Sequence, residues 1–163
     1  MRLYFAYGSN MSSAQMAMRC PGARAVGPAQ LPGWRFHVNV RGSAAILPGE
    51  GSVVYGVLWR CNAAHFHALD NYEGVSWGNY RRRHVNILMP CGASALAVVY
   101  AGTRTYEGRA RVRYMATAVL PGAEAFGLPE AYIEELRSWM PDRPIGEKRI
   151  PYRGRSRPIR FPR

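Results

Sequence analysis

Cysteine is scarce in this 163-residue chain and odd in number. Cys20, Cys61 and Cys91 have no two-residue spacing between any pair, which excludes a disulfide framework and a zinc ribbon and points to a reducing compartment. Long apolar runs are missing too. No stretch approaches the roughly 20 residues needed to span a bilayer, and Met1-Arg2-Leu3 passes directly into apolar sequence with no leader pattern or cleavage site. A soluble, cytoplasmic protein with no membrane partner is expected. No glycine run carries the phosphate-loop lysine, and Gly8 begins no dinucleotide fingerprint. Ser9 lies in a sharp strand-to-helix turn, but Tyr7 stands where a nucleophile elbow needs glycine, so serine catalysis is not expected. His65 and His67 are two residues apart and face different sides of a helix, whereas helical zinc patterns use four-residue spacing, so no metal site is expected. His37 and His84 lie in extended segments without acidic or cysteine neighbours and read as structural.

Acid is in short supply. Ten Asp and Glu face 22 Lys and Arg, giving a net charge of +12, of which residues 143–163 supply +7. That segment holds one acid, Glu147, and is interrupted by Pro144, Pro151, Pro158 and Pro162, so an extended tail is expected rather than a helix. Such a tail either binds polyanions weakly, with strong salt dependence, or only solvates the chain end. Residues 1–142 are enough to build one core without disulfides or a structural metal, and they form the expected domain.

The stretch that organises this domain is Tyr4-Phe5-Ala6-Tyr7-Gly8-Ser9-Asn10-Met11. An aromatic-rich run stops at a glycine and passes into small polar residues, as a strand does when it ends in a loop of backbone donors. Gly8 is free to adopt a positive φ and admit a ligand to the main chain, while Ser9 and Asn10 can cap a following helix. A plain turn satisfies the same pattern. Further on, Ser12 or Ser13 can cap a short helix through Arg19 that Pro21-Gly22 ends, 34–40 alternates as a strand, and 44–47 and 52–59 extend on either side of a turn at 48–51. Gly56 marks a bulge or a close contact. Asn62 caps a helix over 63–72 that Gly74 stops, which leaves Glu73 at the helix exit, the end where the macrodipole favours its neutral form. Strands at 80–89 and 95–100 and helices at 110–125 and 129–140 complete the pattern. The class is α+β, a small curled mixed sheet or barrel with flanking helices.

A second stretch, Leu69-Asp70-Asn71-Tyr72-Glu73-Gly74-Val75 followed by Tyr80, sets an isolated carboxylate beside a glycine. Together with Tyr7-Gly8-Ser9-Asn10 and with Pro129-Glu130-Ala131-Tyr132-Ile133-Glu134-Glu135-Leu136, it resembles the gamma-glutamylcyclotransferase family, in order from Met1 to about Pro141. The resemblance implies an enzyme of γ-glutamyl and glutathione metabolism. Such an enzyme cleaves a γ-glutamyl amide by its own α-amine and releases 5-oxoproline and an amine or amino acid, with no cofactor. By motif, Glu73 takes the catalytic acid/base position, Tyr7, Gly8, Ser9 and Asn10 the substrate-cradling loop, and Tyr80, Tyr100 and Tyr114 the pocket tyrosines. Without the resemblance each of these tyrosines would read as a core residue whose hydroxyl has found a partner. The family usually carries Pro-Ser shortly before the Tyr114 position, and here Ala110-Arg111 stands instead. The resemblance leaves open which γ-glutamyl compound is the small-molecule substrate, and it leaves a homodimer open. It also leaves open a catalytically silent module of the same fold that binds a small acidic ligand in the pocket and RNA through the tail.

Overall fold

The computed structural model describes residues 1–141, so the expected basic tail lies outside the described residues. The aromatic-rich run of the first residues becomes β1 (Arg2–Ala6), which is buried from Tyr4 onward. It pairs antiparallel with β3 (Ala44–Cys61) from Arg2↔Cys61 to Ala6↔Val57. β3 forms a long hairpin with β2 (Arg24–Val38), and β4 (Tyr80–Leu88) pairs antiparallel with β5 (Ser94–Gly102). One parallel pair, Tyr4↔Val98, joins β1 to β5 and closes a barrel in the order β1, β3, β2, β4, β5. This is the mixed barrel expected from the sequence.

Two local expectations are corrected. β2 begins at Arg24, in residues that carry no clean alternation, because its partner β3 supplies the pairing. The turn residues at 48–51 do not end a strand. Residues 49–52 stand opposite Gly33 alone, between the pairs Pro32↔Val53 and Trp34↔Pro48, so glycine and proline here mark a large bulge that bends a continuous hairpin. Gly56 is a close contact rather than a bulge: a Cβ there would lie 2.3 Å from the Ala6 carbonyl oxygen.

Helices flank the barrel and add their buried residues to its core. Of the two serines expected to cap α1 (Ser13–Arg19), Ser12 does so, its hydroxyl accepting from the Gln15 N–H, while Ser9 and Asn10 do not. Asn62 caps α2 (Ala63–Glu73) in a reciprocal box in which His65 Nδ1 accepts from the Asn62 N–H, while His65 Nε2 meets the Pro21 carbonyl at 2.9 Å. Both nitrogens of that histidine therefore serve the fold. The helix expected over 110–125 starts later, as α3 (Val112–Tyr114), and passes through a π-helical turn (Met115–Val119) into α4 (Leu120–Ala125). α5 (Glu130–Ser138) buries Tyr132, Ile133 and Leu136. No described helix is long and apolar enough to cross a membrane.

The core joins Phe5, Leu58, Leu69, Met115 and Leu136 in one cluster, and the buried side chains of His37, Trp59 and Tyr132 carry polar atoms without a partner among the described residues. His37 is fully buried with both ring nitrogens unpartnered. Burial pushes its pKa down to about 4, with Arg35 adding to the effect. A base whose pKa is depressed in the folded state withholds a proton that the unfolded chain takes up. Its neutral form therefore costs stability as pH falls from about 6.5 toward 4, on the order of 3 kcal/mol at the low end. His37→Leu is expected to raise Tm, more at pH 4.5 than at pH 7.5, in thermal melts followed by circular dichroism. Equal or lower stability at both pH values would show that the imidazole contributes packing that leucine cannot replace.

Candidate active site

β1 delivers its last residues to the mouth of the barrel, where Tyr7 is buried and its hydroxyl donates to the Tyr100 carbonyl at 2.6 Å. Gly8 then turns the chain, but not through a positive φ as expected from the sequence. Its φ is −120° and its ψ −140°, within reach of other residues by φ alone. Glycine is required here for space, since a Cβ would lie 2.8 Å from the Tyr114 hydroxyl and 3.0 Å from Ala44 Cβ. The close approach lets the Ser9 N–H donate to the Tyr114 hydroxyl at 3.2 Å. Ser9, Asn10 and Met11 form a single buried 3-10 turn rather than a cap.

Across from this turn, α2 ends with Glu73, and Gly74 stops it in the left-handed conformation (φ 64°). A side chain at Gly74 would also collide with Asn79, 2.5 Å away. Glu73 is thereby held against the turn, where Asn10 Nδ2 donates to its Oε1 at 3.2 Å and to the Tyr4 hydroxyl at 2.8 Å. The orientation of the Asn10 amide is set by Arg19, at the end of α1. Its Nη1 donates to Asn10 Oδ1, and a guanidinium has only donors, so the amide oxygen must face Arg19 and the NH₂ must face Glu73. Arg19 also donates to Ser9 Oγ at 3.0 Å and to the Tyr72 hydroxyl at 2.6 Å, and it stacks 3.5 Å over the Tyr72 ring. One arginine thus ties together the loop, α1 and the end of α2.

All eight residues singled out by motif line one cavity of about 300 Å³: Glu73, Tyr7, Gly8, Ser9, Asn10, Tyr80, Tyr100 and Tyr114. Their hydroxyls are not equivalent. Tyr80 donates to the Ala44 carbonyl at 2.8 Å and accepts from Asn39 Nδ2 at 3.3 Å. Tyr114 accepts from the N–H groups of Ser9 and Ala44, which leaves its proton to donate toward the cavity. The hydroxyl of Tyr100 is instead committed behind the wall. It donates to Asp70 at 2.8 Å, and Asp70 is held in turn by Arg82 Nε at 2.6 Å and Nη2 at 2.5 Å. Tyr100 therefore supplies a ring to the cavity and a brace to α2.

Sequence reasoning missed Tyr4, Asn39, Ser43, Ala44, Tyr72, Asn79 and the arginines Arg41, Arg104 and Arg111, which line the same cavity. Tyr72 had a signal, since it directly precedes Glu73 in the quoted motif. Asn39 had a weaker one. An asparagine two residues before Arg41-Gly42 suits a side-chain-braced turn, and its Oδ1 accepts from the N–H groups of Arg41 and Ser43.

Burial raises the pKa of Glu73 from its ordinary value to about 7, and the nearby Arg19 only partly opposes this. Burial also pushes Tyr114 up to about 12, with the Glu73 charge adding to it, and Tyr7 and Tyr80 shift upward for the same reasons. Near neutral pH the site therefore presents several neutral hydroxyls around one carboxyl that exchanges its proton readily.

Comparison with known proteins places this geometry. The AIG2-like family profile matches residues 53–136. Gamma-glutamylcyclotransferases of Mus musculus and Homo sapiens are each 30% identical to the chain over 150 residues, covering 86% of it and 79% of the relative. The chain belongs to the gamma-glutamylcyclotransferase family. A solved gamma-glutamyl cyclotransferase superposes on it with a TM-score of 0.81 at 28% identity, covering 90% of this chain and 92% of that one. The protein is thus a gamma-glutamylcyclotransferase-like enzyme, and the barrel mouth built by the turn at Ser9–Met11 and the end of α2 is its candidate site.

The raised pKa of Glu73 has a consequence for stability. The folded state holds this proton more tightly than the unfolded chain, so ionisation destabilises the fold as pH rises from about 4.5 through about 7. The cost above that range is on the order of 3 kcal/mol. Glu73→Gln, which keeps the shape without the charge, is expected to melt several degrees above the wild type at pH 8 and within about a degree of it at pH 4.5. A variant that melts lower at pH 8 would mean that the carboxylate is net stabilising where it stands.

Proposed function

We propose that this protein cleaves a γ-glutamyl amide by attack of the substrate's own α-amine on its γ-carbonyl, releasing 5-oxoproline and the free amine. The observation that carries this reading is Glu73 itself, a carboxyl with a pKa near 7 in a cavity otherwise lined by neutral hydroxyls, amides and outlying arginines. The Glu73 carboxylate takes a proton from the α-ammonium. The freed nitrogen attacks the carbonyl carbon of the γ-glutamyl amide (the side-chain Cδ), the five-membered ring closes, and the carbonyl oxygen takes up negative charge. As the carbon–nitrogen bond of the amide breaks, Glu73 returns its proton to the leaving nitrogen, and the second proton lost by the ring nitrogen passes by the same carboxylate to the amine, which leaves as an ammonium; the carboxylate is regenerated and no water is consumed. A pKa near the working pH suits a group that must do both transfers.

The remaining burden is geometric. Nucleophile and carbonyl belong to one molecule, and well-oriented intramolecular reactions gain roughly 7 to 11 kcal/mol over their bimolecular counterparts. A cavity of about 300 Å³ is at the lower end for small-ligand pockets and suits a folded glutamyl group. The Tyr114 hydroxyl, fixed by two backbone N–H groups, is a suitable donor to the developing oxyanion. The free thiols of Cys20, Cys61 and Cys91 support a reducing, cytoplasmic setting.

Incubation of the protein with a panel of γ-glutamyl amides in H₂¹⁸O tests the reaction. The expected products are unlabelled 5-oxoproline and amine in equal amounts, with kcat lowered about 10² to 10⁴-fold in folded Glu73→Gln. Release of ¹⁸O-labelled glutamate in place of 5-oxoproline would make the protein a hydrolase. Retention by the variant of more than about a tenth of the wild-type kcat would remove Glu73 from the chemistry, because a lost acid/base costs far more than that.

A further inference from the structure

The cavity has a chemical gradient from floor to mouth. Its deep wall is buried: Tyr4, Tyr7, Ser9 and Asn10 are each 6% exposed or less. Its outer wall carries three exposed arginines, Arg41, Arg104 and Arg111, and the single acid in the lining is Glu73. None of these arginines forms an ion pair with a described carboxylate. The acids that do pair, Asp70, Glu107, Glu124, Glu130 and Glu134, are engaged by Arg82, Arg35 and Arg137.

The rim is built rather than incidental. Arg111 belongs to the Ala110-Arg111 pair at which the sequence departs from the family pattern. Its N–H donates to the Gly42 carbonyl at 3.2 Å and its Nη2 to Ser43 Oγ at 2.9 Å, and its guanidinium lies 5.1 Å from the Tyr114 ring. Gly42 makes room for this crossing, since a Cβ there would lie 2.7 Å from Arg111 Cγ. The Asn39 side chain braces the same turn through the Arg41 N–H at 2.9 Å, so Arg41 and Arg111 are presented from two packed segments.

We infer that the rim of Arg41, Arg104 and Arg111 selects γ-glutamyl substrates whose leaving amine carries negative charge, such as an acidic amino acid, and disfavours those whose leaving amine carries a second cation. This rests on the cyclotransferase reading of the site. There the substrate's α-amine meets Glu73, and the α-carboxylate, on the same carbon, is confined to the buried end. Only the leaving group can extend to the mouth, where it meets guanidinium groups that are always charged and suited to carboxylates. Each exposed charge pair is worth only a few-fold, so the three together are expected to give a preference of about tenfold that weakens as salt screens it.

The test uses four matched compounds: γ-glutamyl-aspartate, γ-glutamyl-glycine, γ-glutamyl-ethylamide and γ-glutamyl-putrescine. Calorimetric binding to Glu73→Gln reads the rim without chemistry, and 5-oxoproline release by the wild-type protein reads the reaction. Expected is an affinity order that follows this sequence, with about tenfold between aspartate and ethylamide conjugates at low salt. The order should flatten when Arg41→Gln, Arg104→Gln and Arg111→Gln are combined, and kcat/KM in the wild type should follow it. Charge-ordered binding without 5-oxoproline would leave the rim standing and overturn the reaction. Turnover with no charge preference would overturn the rim and leave the reaction standing. If the triple substitution weakens all four compounds equally, the arginines hold the glutamyl portion instead, and the inference fails.

Discussion

Glu73 is held in surroundings that do not favour its charge, and much of the local architecture serves to keep it there. Water would solvate a carboxylate fully, whereas here one Asn10 amide donates to it and the neighbouring groups are neutral tyrosine hydroxyls. Holding the group in place takes a helix that stops abruptly at Gly74, a 3-10 turn narrow enough to face it, and a glycine at position 8 that lets Tyr114 close over the turn. The barrel makes these requirements compatible, because α2 is entered from Cys61, beside Arg2 at the start of β1, and its far end at Glu73 meets the turn that follows the opposite end of β1. A second buried group, His37, acts in the opposite sense. His37 costs stability as pH falls toward 4 and Glu73 costs it as pH rises toward 7, so the two slopes offset each other across the intervening range.

The distribution of cations follows from the same constraint. Arg19 is the charge that opposes the shift at Glu73, and its guanidinium is spent on Asn10, Ser9 and Tyr72 rather than on the carboxylate itself. A direct Arg–Glu pair would favour the ionised form and take away the proton-donating half of the reaction. Arg41, Arg104 and Arg111 stand exposed at the outer wall of the same cavity. In the proposed reading the two electrostatic tasks fall to different places, proton exchange to the floor and charge recognition to the mouth.

Much of this was legible from local chemistry. Gly74 after an apolar-periodic segment placed the helix stop, and so Glu73, because a left-handed C-cap is nearly a glycine monopoly. The run 52–59 read as a strand and belongs to β3. What failed was non-local. The glycine at position 8 looked like a conformational requirement and is a spatial one, set by Tyr114, which lies far along the chain and packs against it. The residues 24–31 are strand because β3 pairs with them, and the turn-like 48–51 is a bulge because the hairpin continues past it. Arg19 carried no motif at all, and its role exists only once α1 is folded beside α2. The rim arginines were visible as charge but not as neighbours, since the segments that carry Arg41 and Arg111 meet through the Asn39–Glu107 bridge and the packing of Gly42 against Arg111, far apart in the chain.

The central claim is that burial holds the Glu73 carboxyl near neutrality so that one group can both accept and return a proton. A ¹³C NMR titration of the glutamate side-chain carboxyls in the free protein, with the Glu73 signal identified by its loss in Glu73→Gln, measures this directly. The expected midpoint is about 7. A midpoint between about 4 and 5, the ordinary carboxylate range, would show that the site solvates the charge after all and would remove the physical basis for assigning the acid/base role to Glu73.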